Sequence, residues 1–353
     1  MMNDELRSSA AGSVHKAMNL HSECGRRNNS VSGTGKSVAE SLYPSNGFVS
    51  KYRILTGVFI LLLLFTTANI AKAQQTFTGS DGVEVTIEDL SRVVSIGSAV
   101  TETIFALDAA ENLVAVDESS IYPEETTNYT KTSFTRSLSA EGLLSLSPSV
   151  ILASAAAGPE PVVQQIRATG IPLLKLTADE TVEGAYERIR QLGQIFNKEE
   201  AANQIIQNIQ NDLDRALAAQ EGLFEKPTVL FIYARGGNML MVAGEKTSAK
   251  TMIELAGGVN AFDSFEGFKP LTAEAVVEAN PDVILMMESG IESVGGKAGV
   301  LQAPGVSLTD AAKNDRIYSM EGIYLLNFGP RTGQAVLDLM AKFHPGIELT
   351  KNF

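Results

Sequence analysis

Cysteine is almost missing from this chain of 353 residues, and histidine is nearly as scarce. The one cysteine is Cys24 and the histidines are His15, His21 and His344, so the sequence beyond residue 73 holds no thiol and a single imidazole. Structural zinc sites and His-rich cages need several such ligands and are excluded there. A Ser–His arrangement would have to use His344, which sits in Phe343-His-Pro-Gly and reads as a surface turn. No Gly-x-Gly-x-x-Gly follows an apolar strand and no nucleophile elbow is visible. Tryptophan is absent, which removes the largest stacking platform from any binding site. Positive charge is also short: beyond residue 73 there are 20 basic against 37 acidic residues. Nucleic-acid binding is led by Lys and Arg on phosphates, so no nucleic acid is expected as a partner.

What is present is ample apolar material: 44% of residues are hydrophobic and 20% charged, enough for one or two domains with real cores. Its longest apolar run, Ile54–Ile70, is preceded by Lys51 and Arg53 and followed by Ala71-Lys-Ala73. A basic lead, an apolar core too short for a comfortable span and an Ala-x-Ala exit read as a secretory signal peptide over 49–73, cleaved near Ala73. No Cys follows it, so no lipid anchor is available, and the mature chain is expected in the periplasm. Residues 1–48 are polar and aperiodic, and read as a disordered leader set ahead of the true start, with Val49 a reasonable initiator. Within them Ser30-Val-Ser-Gly-Thr-Gly-Lys36-Ser37 imitates a phosphate-binding loop. It lacks the first glycine and a preceding strand, and carries no weight.

The body is organised around a stretch that occurs twice. Leu138-Ser-Ala-Glu-Gly-Leu-Leu-Ser-Leu-Ser-Pro148-Ser-Val-Ile-Leu152 aligns without a gap to Leu271-Thr-Ala-Glu-Ala-Val-Val-Glu-Ala-Asn-Pro281-Asp-Val-Ile-Leu285. Each copy reads as a hydroxyl N-cap (Ser139, Thr272), a short helix, a proline stop and an apolar strand, with a glutamate two residues after the cap. Two copies in register point to two similar lobes. Around them, apolar strands such as Arg92–Ile96, Asn112–Val116, Ile171–Leu176 and Lys226–Tyr233 alternate with helical stretches, which implies parallel sheets covered on both faces. Asp117–Arg136 reads as a long polar loop and Ala234–Gly244 as a glycine-rich one. Between the lobes Thr181–Ala219 is helical with a pause at Phe196-Asn-Lys198. Ile205, Ile206, Ile209, Leu213 and Leu217 mark an apolar face.

Val94-Ser-Ile-Gly97 with Thr101-Glu, the first repeated unit, Met241-Val-Ala-Gly, Ile253-Glu-Leu-Ala-Gly-Gly-Val-Asn-Ala and Gly329-Pro-Arg331 resemble the haem-binding periplasmic proteins of bacterial ABC importers. These form part of the helical-backbone class of solute-binding proteins, which also contains siderophore and vitamin B12 binders. The resemblance covers about residues 91–345. It implies an α/β fold of two Rossmann-like lobes with parallel sheets joined by one long connecting helix, with the ligand cleft between the lobes. The N-terminal lobe would span 74–197, the connecting helix 198–221 and the C-terminal lobe 222–353. It implies a monomer with haem as a transported ligand, no intrinsic cofactor, and an ABC permease dimer with its ATPase as partner. Glu141 and Glu274 match the glutamates by which such proteins dock on permease arginines, although as carboxylates in a first helical turn they would also favour their helix dipoles.

The resemblance breaks at one point. The tyrosine that ligates iron just before the first repeated unit is replaced here, in Ser133-Phe134-Thr135-Arg136, by a ring with no oxygen. Tyr122, Tyr129 and Tyr324 are the remaining candidates for an iron ligand, and Met239 and Met241 could add a thioether. Each has a plainer reading as a packing residue. Arg331 matches the family's cleft arginine and suits a carboxylate, with Arg136 and Arg235 as lesser candidates. The loss at Phe134 keeps a ferric-siderophore or corrinoid ligand open within the same class. Outside import by that class, an exported two-lobe enzyme and a haem-sequestering protein are the competing functions.

Overall fold

The computed structural model describes residues 75–177, 181–236 and 239–349. The leader, the expected signal segment and the imitation phosphate loop lie outside the described residues. Among those described, no helix is long and apolar enough to cross a membrane.

The described chain starts with a small antiparallel hairpin, β1 (Gln75–Thr78) and β2 (Glu84–Ile87). The first lobe follows as β3 (Val93–Ile96), α1 (Ser98–Ala106), β4 (Leu113–Val116), β5 (Thr130–Lys131), α2 (Ala140–Ser145), β6 (Val150–Ser154), α3 (Glu160–Ala168), β7 (Leu173–Leu176) and α4 (Val182–Ile195). Its strands are all parallel, in the order β5-β4-β3-β6-β7. β3, β6 and β7 are buried on both faces, as unbroken apolar runs require. Alternation sends Val93 and Leu152 into the core under α1 and α4, and Val94, Ile151 and Ala153 into the core under α2 and α3.

α5 (Glu199–Gln220) leads to the second lobe, about 33 Å of uninterrupted helix. Its inward stripe is Ala202, Ile206, Ile209, Leu213 and Ala216; Ile206 joins the first lobe's core, Ala216 the second's, and Leu213 touches both. Leu217, expected on this stripe, is 62% exposed, because it lies one residue, about 100° of helical turn, beyond Ala216.

The second lobe runs β8 (Thr228–Ala234), β9 (Leu240–Ala243), α6 (Ser248–Leu255), β10 (Val259–Asn260), β11 (Phe268–Pro270), α7 (Ala273–Ala279), β12 (Val283–Met287), α8 (Glu288–Ser293), α9 (Gly296–Leu301), α10 (Asp310–Lys313), β13 (Ile317–Met320), α11 (Gly322–Leu326) and α12 (Thr332–Phe343). Its sheet, ordered β11-β9-β8-β12-β13, is mixed, where parallel strands were expected. β8, β12 and β13 are parallel, but the glycine-rich segment is a hairpin. Gly236 takes φ 72°, a value side chains resist, and reverses the chain so that β9 runs antiparallel to β8. α12 returns across α5 at Gly333, where a Cβ would stand 2.7 Å from that of Asp212; only glycine permits the approach. His344, expected in a free surface turn, is half-buried beside the Gly257 carbonyl, with its Nε2 at 3.2 Å.

Candidate ligand-binding cleft

The expected polar loop after β4 is not irregular throughout. A 3-10 turn (Glu124–Asn128) and β5 interrupt it, and buried Asp117 organises its ends. Asp117 Oδ1 accepts from the Gly97 amide at 2.9 Å and the Ser120 hydroxyl at 2.5 Å, while Oδ2 accepts from Thr135 at 2.8 Å and from Ser119. Both ends of the loop are thus tied to the point where β3 becomes α1. Replacing Asp117 by Ala strands several buried donors and is expected to cost about 3 kcal/mol. Thermal melts measure that loss, and limited proteolysis should find the first cut within 117–136.

The lobes meet through the segment that opens α12. Asn327 donates to the Ser98 hydroxyl at the start of α1. Arg188 of α4, 5% exposed, donates to the Phe328 carbonyl at 2.5 Å. Arg331 forks onto Glu102 of α1, Nε to Oε1 at 2.7 Å and Nη2 to Oε2 at 3.0 Å. Burial alone would push the guanidinium's pKa down; the Glu102 hydrogen bonds outweigh it and the net direction is up. The Tyr122 ring lies 3.4 Å from the guanidinium carbon and the Tyr324 ring 4.8 Å, so aromatic rings from both lobes pack on one cation. The fork expected to await a ligand carboxylate is therefore held by an internal carboxylate, since Glu102 is 4% exposed and needs a counter-ion there.

This geometry separates the three tyrosines. Tyr129 precedes β5, at the end of the sheet away from the cleft. Its hydroxyl donates to the Ala110 carbonyl at 3.2 Å and its ring packs edge-on to Phe105 at 5.8 Å, so the structure places it as a packing residue. Tyr324 donates to Asp338 at 2.8 Å. Burial first, then that carboxylate, raise its pKa far above the usual tyrosine range, which opposes the tyrosinate an iron would need. Tyr122 is 41% exposed, and its hydroxyl has no hydrogen-bond partner among the described residues.

Phe134 is 61% exposed on the same loop as Tyr122, and Met239 is exposed at the β8–β9 turn. Arg136 and Arg235 are exposed, at the cleft ends of the first and second lobes, without an ion pair among the described residues. Three residues not singled out from sequence complete the picture. Glu102 carries the clasp. Tyr233, next to last in β8, keeps its hydroxyl unpartnered among the described residues, and Phe268 on β11 packs against it at 6.1 Å between ring centroids while remaining 43% exposed. A tyrosine at the end of the apolar run Val229–Ile232 was the available signal for Tyr233.

Glu141 and Glu274 are exposed in the first turns of α2 and α7, capped by Ser139 (from the Gly142 amide, 3.2 Å) and Thr272 (from the Ala275 amide, 3.3 Å). A cavity of about 240 Å³ beside α9 and a groove of about 390 Å³ along α5 include none of the cleft residues. Among the described residues no cluster of His, Cys, Asp or Glu is placed to hold a metal ion.

The family described as periplasmic binding protein matches residues 93–324. Among solved structures, the periplasmic heme-binding protein RhuT from Roseiflexus sp. RS-1 is 38% identical, covering 73% of this chain and 99% of its own, with a TM-score of 0.70. The heme binding protein HmuT is 26% identical over 77% of this chain and 90% of its own, with a TM-score of 0.69. HmuT has also been solved with a tyrosine, and separately an arginine two residues further on, replaced by alanine. The vitamin B12-binding protein of Vibrio parahaemolyticus is 23% identical over 72% of this chain and 90% of its own length. Two α/β lobes, one long connecting helix and a match over most of both lobes agree: the chain belongs to the periplasmic binding protein family.

Proposed function

We propose that this protein is the substrate-binding component of an ABC importer and carries haem in the cleft between its lobes. It would be a monomer in the periplasm, exported by the 49–73 segment with cleavage near Ala73, and would deliver its ligand to a permease dimer driven by an ATPase. The observation that carries the reading is a pair of tyrosines, one at the cleft end of each lobe. Tyr122 and Tyr233 both keep an unpartnered hydroxyl among the described residues, with exposed Phe134 and Phe268 nearby to flank an apolar macrocycle. Phenolate is an established haem ligand type. Arg235 follows Tyr233 at the spacing of the tyrosine and arginine substituted in HmuT. Tyr122, Tyr233, Phe134, Arg136, Arg235 and Met239 are the residues expected to touch the ligand. Glu141 and Glu274 are expected to touch the permease.

Titration of the purified protein with haemin, followed at the Soret band, tests this. Saturable binding should weaken about tenfold in Tyr122→Phe or Tyr233→Phe, equivalent to about 1.4 kcal/mol, and the ligand-to-metal charge-transfer band should shift. Cobalamin is the parallel titrant, because a relative named for vitamin B12 and the missing oxygen at Phe134 favour a corrinoid as second reading. Binding of cobalamin without haemin would replace the first reading by the second.

A further inference from the structure

Arg331 stands where a ligand-binding cation is expected, yet its charge is already matched inside the protein. Glu102 takes Nε and Nη2, the Tyr122 ring packs 3.4 Å from the guanidinium carbon and the Tyr324 ring 4.8 Å. A carboxylate brought to this floor meets a neutral pair. Drawing Arg331 to itself would leave Glu102, 4% exposed, buried without a counter-ion, which is strongly unfavourable. Arg136 and Arg235 are different. Each is exposed at the cleft end of its own lobe and has no ion pair among the described residues. Arg136 and Arg235 are therefore open to an anion, whereas the arginine of the clasp is closed to one.

Building on the haem reading, we propose that Glu102 fixes which way round the ligand sits. By occupying Arg331 it makes the cleft floor neutral and aromatic. An amphipathic macrocycle then enters apolar edge first, and its carboxylates stay near the mouth, met by Arg136 from the first lobe and Arg235 from the second. Glu102 touches no ligand atom in this arrangement. It is a positioning residue that acts through Arg331, and it makes the cleft selective for ligands whose anionic groups lie on one edge only. Guanidinium forks suit that edge, since each binds a carboxylate bidentately.

The experiment compares haemin with its dimethyl ester, which has the same ring and iron but no carboxylates. Both are titrated into the purified protein at low salt in the same dilute detergent, and the ratio of the two dissociation constants is read. The unsubstituted protein should favour the diacid by about tenfold, the scale of two partly exposed ion pairs. The double variant Arg136→Ala/Arg235→Ala should bring the ratio close to one with an unchanged thermal melt. Glu102→Gln should raise the ratio above that of the unsubstituted protein, because Arg331 is released to the ligand. A merely structural role for Glu102 would weaken both titrants equally and leave the ratio where it was, which overturns the proposal. Retention of the full preference in the double arginine variant overturns it as well, and does so even if Glu102→Gln fails to fold. Equal binding of acid and ester by the unsubstituted protein overturns this proposal alone, whereas binding of neither overturns the haem reading and this proposal with it.

Discussion

Glu102→Ala should unfold about 3 kcal/mol more easily than the unsubstituted protein, lowering the first melting transition by roughly 6–12 °C. The size follows from what is left behind. Glu102 is 4% exposed and Arg331's side chain only 27%, so truncating the glutamate removes both acceptors of a bidentate fork and leaves a half-buried guanidinium with no anion. Breaking a buried pair from one side costs about 3–5 kcal/mol. The lower end applies here because Tyr122 and Tyr324 still pack on the freed cation and part of its edge reaches water. Glu102→Gln keeps one acceptor and should cost less. Differential scanning calorimetry in low and high salt decides the matter. A shift under about 2 °C would place the fork among solvent-screened surface pairs, which contribute at most about 1 kcal/mol.

The second large effect concerns delivery. Glu141→Ala/Glu274→Ala should leave haemin affinity within about twofold, because neither carboxylate lies among the cleft residues, and should lower haem-dependent growth or vesicle uptake by about tenfold or more. Each exposed glutamate would supply a charge-assisted contact to an arginine on its half of a two-fold partner. Losing both removes both ends of the grip at once. The cost to the fold is small, about 0.3–1 kcal/mol per helix from the lost first-turn charge. Single variants should fall between. Loss of haemin binding in the double variant would refute the assignment, as would full uptake.

These two expectations differ in how far the sequence alone could reach them. The repeated Ser/Thr-Ala-Glu unit was legible because it is local: a hydroxyl, an amide three residues on and a proline stop fix a short helix with no help from the rest of the chain. The alternation of apolar strands and helices was legible for the same reason. The clasp was not, since Glu102 and Arg331 are 229 positions apart and only the return of α12 across α5 unites them. Tyr129 shows the complementary failure. It shares a loop with Tyr122, and nothing in the local sequence reveals that β5 pairs with β4 and carries Tyr129 to the far end of the sheet. The hairpin at Gly236 was hidden by its own composition, because glycines that make a tight reversal look like those of an open loop.

The way α5 carries the chain from one core to the other has a mechanical consequence. A crossing made of extended strands swings freely, whereas α5 is a single rod, buttressed at Gly333 by α12 lying against it. Such a joint behaves as a spring: small displacements are cheap and large ones rise steeply in energy. The empty and loaded forms should then have nearly the same radius of gyration by small-angle scattering. On the function proposed above, thermal motion alone would not spread the lobes far enough to free a bound macrocycle, and the force that ejects the cargo would come from the permease, pulling on the Glu141 and Glu274 tips.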